Sequence, residues 1–335
     1  MSGVIQFLGS VKLALLGMGF LAIGAGLSYG NPDDVSVWVL VAPLALLSFN
    51  LLTAIIVNPR INRRPGLLVF HLGLLGIVIL AAIGRMTFLD AHVELLQDSP
   101  FASSDILGVK KGLWHNGDLD KVAFVQGPYT VEYSARMVRG LTHNHVHVPN
   151  AEGQWETREI GDDRPLVLEN YRFYTSFNKG FAPILTWEPV TGAPVTGAVH
   201  MPSYPLYEYK QDNHWTPPGG KEIKFWLRLD TGLRQDAAWV LNAKQATGVL
   251  VVNTGGKRVE LRAGETVELA GGKLRYERLS TWMGYRIFYD PTLQALFWVS
   301  VIGVFGLFAH FWQKLALRAA SESLQAQVGN LAGRS

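Results

Sequence analysis

One histidine, His71, sits in a run of twenty residues, Pro65–Gly84, that contains no Asp, Glu, Lys or Arg. At a helical rise of about 1.5 Å per residue such a run crosses a bilayer. Ionisable side chains are costly inside a membrane and by default mark function. A neutral imidazole can relay protons or ligate a metal, haem iron among them. The alternative is a packing histidine bonded to a neighbouring helix. A second arrangement is His143, His145 and His147, an H-x-H-x-H pattern. If Thr142–Val148 is a strand, its period of two puts all three rings on one face. There they make either a three-imidazole metal site or a solvated strand edge.

The elements that must position these residues are legible from charge. Only 17% of the 335 residues are charged, against roughly 25% in ordinary soluble domains. The deficit is concentrated in four charge-free windows, Leu13–Pro32, Val35–Pro59, Pro65–Gly84 and Pro291–Gln313. Each predicts a transmembrane helix, at about 13–31, 36–58, 66–85 and 290–314. The first is too long and Gly-rich, and lacks the small-residue cleavage site, to be read as a removable signal. Lys12, Arg60, Arg63, Arg64, Lys314 and Arg318 flank these windows on one side if both termini are cytoplasmic, while Asp33 and Asp34 lie on the other. The expected placement is therefore a multi-pass protein of a bacterial inner membrane, with residues 87–289 exported to the periplasm and 315–335 a cytoplasmic tail.

Seven of the 30 Lys/Arg and three of the 27 Asp/Glu fall outside Arg85–Asp290, leaving 23 and 24 inside. The exported part is thus almost neutral. The basic excess is a topology signal and not a nucleic-acid footprint. There is no cysteine, which excludes disulfides, thiolate metal sites and covalent c-type haem attachment to this chain.

Residues 87–289 read as one mostly-β domain, a sandwich or open barrel. Predicted strands are Lys121–Gln126, Tyr129–Val138, Pro165–Thr175, Glu222–Asp230, Ala237–Asn242, Gly248–Asn253, Lys257–Arg262 and Lys273–Leu279, short runs rich in Val, Tyr, Phe and Leu between Gly- and Pro-containing turns. Arg262–Thr266 predicts a hairpin turn, and Met201–Gly220 a long irregular loop holding His200 and His214 at the surface at or near its start and within it.

The segments LALLSFNLLTAIIVNPR, FHLGLLGIVILAAIGRM, ENYRFYTSFNKGFAPIL and GYRIFYDPTLQALFWVSVIGVFGLF, in this order, carry a resemblance. With four spans and a β domain between the third and fourth, the chain resembles the ResB-like cytochrome c biogenesis proteins. The resemblance covers all four helices and parts of the domain. It implies a subunit that works with a ResC/CcsA-type membrane protein to carry haem b, bound non-covalently, across the bilayer and present it to apocytochrome c. The family's third-helix histidine matches His71, an implied axial ligand, with the second ligand on the partner. A Trp-Trp-Asp motif is absent here, so catalysis of thioether formation is expected mostly in the partner.

On that reading haem bound through His71 would leave its propionates near Arg60, Arg63 and Arg64, which otherwise serve only topology. Asn50, at a similar depth on the second helix, would bond the far ring nitrogen of His71 or else a neighbouring helix. His310, near the inner end of the fourth helix, is a weaker second ligand or an interfacial anchor. The rival reading is a non-catalytic docking subunit of a membrane electron-transfer complex.

Overall fold

The computed structural model describes residues 2–30, 35–230 and 236–332, with the side chains of residues 3–316 among these. The Asp33–Asp34 loop and the Arg318 side chain used in the topology argument lie outside that set. The described residues fall into two compact units, a helical one (1–89, 110–116 and 290–335) and a β one (90–109 and 117–289).

The helical unit comprises α1 (Ser2–Leu8), α2 (Val11–Gly30), α3 (Trp38–Val57), α4 (Pro59–Asn62), α5 (Pro65–Thr87) and α6 (Leu293–Ala332). Four are long and apolar enough to cross a membrane: α2, α3, α5 and the Leu293–Ala316 part of α6. Each expected span has its helix, with ends shifted by a few residues. The first is preceded by a separate short helix, broken at Gly9 and Ser10. α6 runs on into the expected tail, residues 315–335, as far as Ala332. Large apolar side chains stay open on these helices: Trp298, Phe305 and Trp312 are 57%, 68% and 65% exposed. Such surfaces are stable only against lipid or protein.

Glycine decides where the helices meet. Packing pairs α2 with α3, α3 with α5, and α5 with α6. A Cβ on Gly73 would lie 2.6 Å from the Gly303 Cα, and one on Gly66 2.6 Å from the His310 backbone nitrogen, so α5 and α6 touch backbone to backbone. On α2, Gly17 and Gly24 pack on Leu47 and Val39 of α3, whereas Gly19 and Gly26 face open space.

The segment 110–116, expected in the exported domain, belongs with the helices. Gly112 N donates to the Phe88 carbonyl at 2.9 Å and Trp114 N to that of Met86 at 2.7 Å. A side chain at Gly112 would collide with the Met86 carbonyl.

The β unit holds fifteen strands in chain order: β1 (Leu89–Leu96), β2 (Leu107–Lys111), β3 (Val125–Tyr133), β4 (Arg139–Pro149), β5 (Trp155–Ile160), β6 (Leu166–Leu168), β7 (Tyr171–Pro189), β8 (Val195–Ala198), β9 (Asp212–Trp215), β10 (Ile223–Leu229), β11 (Trp239–Asn242), β12 (Gly248–Thr254), β13 (Lys257–Leu261), β14 (Thr266–Leu269) and β15 (Gly272–Tyr289), β1 and β2 reaching slightly into the helical unit. Among the described residues these fifteen strands form three sheets: β2-β1-β15-β7-β6 with β14 and β8 attached, β13-β12-β10-β9, and β11-β3-β4-β5. The mostly-β expectation holds, but the arrangement is three sheets and not one sandwich or barrel.

Two further corrections follow. The turn at Arg262–Glu265 forms, with Gly264 at φ +90°, but it passes the chain from one sheet to another instead of closing a hairpin. The Met201–Gly220 segment contains β9, which pairs with β10. The spine is the antiparallel pair β7–β15, in register from Tyr171↔Tyr289 to Pro189↔Gly272 with two irregularities. Phe101, Phe124, Phe173 and Tyr285 pack edge and face beside it at 5.2–6.3 Å between centroids. A buried ring of polar groups closes the core: Gln126 donates to Asn144, Asn144 to the Tyr285 hydroxyl, and that hydroxyl back to Gln126. Each donor is satisfied, so burial costs little.

Candidate functional site

Pro65 opens α5, its missing N–H falling where no helical partner exists. His71 follows two turns later, half-buried. Its Nδ1 lies 2.8 Å from the Leu67 carbonyl, and its ring meets Phe70 edge-on at 5.3 Å. A carbonyl only accepts, so Nδ1 carries the proton and Nε2 keeps its lone pair; the tautomer is inferred from this bond. Among the described residues Nε2 has no hydrogen-bond partner. A histidine anchored through one nitrogen with the other bare is the form that ligates metals.

Below His71, the turn bearing the arginines is pinned by Ile61, buried with Ile55 and Leu75. The Asn58 side chain accepts from Arg60 N at 3.0 Å. Arg60, Arg63 and Arg64 are all exposed, and none forms an ion pair among the described residues. They are available to an anion at the N-terminal end of α5.

Above His71, an apolar groove of about 490 Å³ runs between α3 and α5, lined by Trp38, Phe49, Leu75, Ile79, Met86 and Trp114 among others. It begins at Leu75, one turn beyond His71. Its size is within the range of small-molecule sites, and its walls suit a flat apolar ring.

Asn50 does not bond His71. It is 5% exposed, and its Nδ2 donates to the carbonyls of Leu8 and Ser10 at 2.6 and 3.1 Å. The amide satisfies the Leu8 carbonyl where α1 ends and adds a second bond to the Ser10 carbonyl, which already accepts from Ala14 N at 3.2 Å, the interhelical use anticipated as its alternative. His310 lies with its backbone against Gly66, about 7 Å along the axis of α5 from His71 by helical rise. Its ring packs on Phe311 at 5.6 Å and does not touch His71. The structure therefore sets the arginine turn, His71 and the groove in succession along α5, with His71 short of the groove's lining, and gives Asn50 to the α1–α2 junction.

His143, His145 and His147 share the half-buried face of β4, while Thr142, Asn144, Val146 and Val148 are buried on the other. The strand and its alternation are as expected. The metal reading is not carried: each ring turns to its own partner. His143 pairs with Glu159 at 2.8 Å and Glu132 at 3.5 Å, His145 Nδ1 is 3.3 Å from the Pro128 carbonyl, and His147 Nδ1 is 3.0 Å from the Thr157 hydroxyl. The bond to Glu159 holds the His143 imidazole above its ordinary range, and lowers that carboxylate. Among the described residues no group of three or more His, Asp or Glu has metal-holding geometry.

Two features escaped the sequence reading. Lys179 in β7 is 1% exposed, with burial as the main cause of its depression to about 7. His200, expected at the surface, is half-buried and paired with Glu94 at 3.4 Å. Neither had a local signal, because burial and the distant partner are set by the sheets.

Compared with known proteins, the chain matches no family model and no curated protein.

Proposed function

We propose that this chain is the ResB-like half of a haem-delivery complex, receiving haem b from the cytoplasmic side and passing it outward with a ResC/CcsA-type partner for attachment to apocytochrome c. The observation that carries the reading is the His71 imidazole, its Nδ1 tied to the Leu67 carbonyl and its Nε2 without a hydrogen-bond partner among the described residues, one turn from an apolar groove and two turns from arginines without ion pairs there. His71 would hold the iron, nearby apolar side chains would shelter the macrocycle, and Arg60, Arg63 and Arg64 would supply charge for the propionates. The order of the elements, three spans, a β unit and a fourth span, agrees with the resemblance in the sequence. The second iron ligand is assigned to the partner, as the resemblance implies.

His71→Ala is expected to lower the haem that copurifies with the membrane complex and to reduce cytochrome c maturation, with protein level nearly unchanged. Added imidazole should restore part of both by filling the vacated position on iron. Unchanged haem and maturation in this variant would leave only the rival, a docking subunit of an electron-transfer assembly.

Both termini face the cytoplasm and the β unit faces the periplasm in this reading. Protease added to intact spheroplasts should cut within residues 87–289 and spare a tag on the C-terminus. A protected β unit would overturn the orientation.

A further inference from the structure

In the β13-β12-β10-β9 sheet, β10 alternates: Ile223, Phe225 and Leu227 are buried, while Lys224, Trp226 and Arg228 face outward. On that outer face Lys224 lies directly opposite His214 of β9 and Asn253 of β12, and Asn253 lies opposite Arg258 of β13. Residues paired in this way share a face, so His214, Lys224, Asn253 and Arg258 form one row across all four strands. Strands sit about 4.8 Å apart, which puts the backbones of Lys224 and Arg258 about 10 Å apart with Asn253 between them. Two long side chains reach over Asn253 from either side. Trp226 stands in the next row of the same face, opposite Val251. These residues line one pocket of about 480 Å³.

The charges of this row are not compensated. Glu260, two residues from Arg258, is spent on Arg228, which holds it through both terminal nitrogens at 3.1 and 3.4 Å. Among the described residues, the side chains of Lys224, Arg258 and His214 form no ion pair and no hydrogen bond. Asp212 is the carboxylate on the lining, and it stands opposite Trp226 at the β9 side. It repels an anion from that side and leaves the span between Lys224 and Arg258 to it. The β9 wall is held in place by Asn213, whose side chain donates to the His200 carbonyl at 2.6 Å and accepts from His214 N at 2.8 Å.

The row narrows the ligand class. Two fixed positive charges match a group carrying about −1.5 to −2, which is the charge of a phosphomonoester at neutral pH. Its three acceptor oxygens suit a guanidinium fork, an ammonium and an amide approaching from different directions. The pocket lies in the size range of small-molecule sites and exceeds what a phosphoryl group alone would fill. Trp226 and Val251 give the remainder an apolar wall suited to a flat ring. We propose that this sheet face binds a small phosphomonoester with a flat apolar body, the phosphoryl group held by Lys224, Asn253 and Arg258 and the body lying against Trp226. The site shares no residue with the one around His71 and stands whether or not the chain handles haem.

The test is calorimetric titration of the purified full-length chain, in a non-ionic detergent at low salt, with phenyl phosphate, inorganic phosphate and benzoate. Phenyl phosphate should bind saturably, and about 10-fold or more tighter than inorganic phosphate, which lacks the body, or benzoate, which carries a single charge. Lys224→Gln and Arg258→Gln should each weaken it about 10-fold or more, the loss of one charge-assisted hydrogen bond. Trp226→Ala should bring phenyl phosphate down to the level of inorganic phosphate. Lys244→Gln, at an exposed position outside the row, should change nothing. Dihexanoyl phosphatidic acid, the same headgroup on flexible chains, should bind no tighter than inorganic phosphate. Far-ultraviolet circular dichroism should be the same for all variants. If Trp226→Ala fails to fold, the two row variants and the ligand comparison decide. Absence of saturable phenyl phosphate binding overturns the proposal. So does binding that survives Lys224→Gln and Arg258→Gln, or an equal loss in Lys244→Gln, the mark of diffuse surface charge. Phosphatidic acid binding tighter than phenyl phosphate overturns it too and gives the face to lipid.

Discussion

Lys179→Met is expected to stabilise the β unit by about 4 kcal/mol near pH 7, an effect that disappears as the pH is raised toward the ordinary lysine range. Lys179 is almost wholly buried, and its one hydrogen bond is a long one, 3.3 Å to the Ser176 carbonyl. Of its charged neighbours, Arg139 opposes the ammonium and Asp162 favours it. Asp162 is already shared by Arg139 and Thr175, at 2.6 and 3.0 Å, so it compensates Lys179 poorly. Loss of hydration dominates, and the ammonium is held down to about 7 from 10.5.

The sign follows from proton binding. Between these two values the unfolded chain carries a proton that the folded chain does not, so stability rises with pH across that window. It is full above the unfolded value and is lost as the pH falls to the folded one. Met keeps the length of the side chain without the charge. Urea melts of the full chain in detergent at neutral pH and at about pH 10 check this. The variant should lead clearly at neutral pH and by little at the higher one. Equal midpoints for the two proteins at neutral pH would show that the ammonium is not desolvated.

Gly73→Leu is expected to push α5 away from α6 at a cost of about 3 kcal/mol, and to lower the amount of assembled membrane protein. The first side-chain carbon already meets the Gly303 Cα at 2.6 Å. Nothing there can rotate away, because the obstacle is backbone. The contact is asymmetric: a Cβ on Gly303 finds its nearest atom, the Gly73 Cα, at an ordinary 3.5 Å. Gly303→Ala should therefore be mild where Gly73→Ala is already damaging. Gly19→Leu on the open face of α2 is the neutral control, since nothing lies within 4 Å of that position. Protein yield and thermal melting in detergent report the order Gly73→Leu, Gly73→Ala, Gly303→Ala, Gly19→Leu. A Gly73→Leu protein as stable as the Gly19→Leu one would mean that α5 and α6 do not pack through their glycines.

Gly73 also shows how much could be read without coordinates. Its presence near His71 on a span was visible, but not that it meets Gly303. The four spans were legible because crossing a bilayer is a local demand on length and charge. His71 was legible for the same reason, as the one ionisable group between Pro65 and Gly84. The rings of His143, His145 and His147 share a face because a strand alternates with period two, whatever surrounds it. Their metal reading failed at the next step, where Glu132, Glu159, Pro128 and Thr157 on neighbouring strands each take a ring.

The residues whose meaning changed are those defined by partners far along the chain. Asn50 answers to Leu8 and Ser10 at a helix break that composition does not mark. His200 passes for a loop residue until β1 brings Glu94 beside it and β15 sets Trp282 under its ring. Lys179 looks like any surface lysine in β7, since alternation there is interrupted by the irregular pairing near Met283 and Tyr285. The sequence by itself determined four helices long and apolar enough to cross a membrane, the β character between the third and fourth, and the place of His71 along its helix, all consequences of short-range periodicity and transfer free energy. The Nδ1 partner of His71, Leu67, lies one turn away on its own helix, but tertiary structure alone decided which carboxylate meets His200, which amide is spent, and which lysine is buried. Those depend on donors and acceptors that become neighbours only when distant segments pack, and no window along the chain contains both members of such a pair.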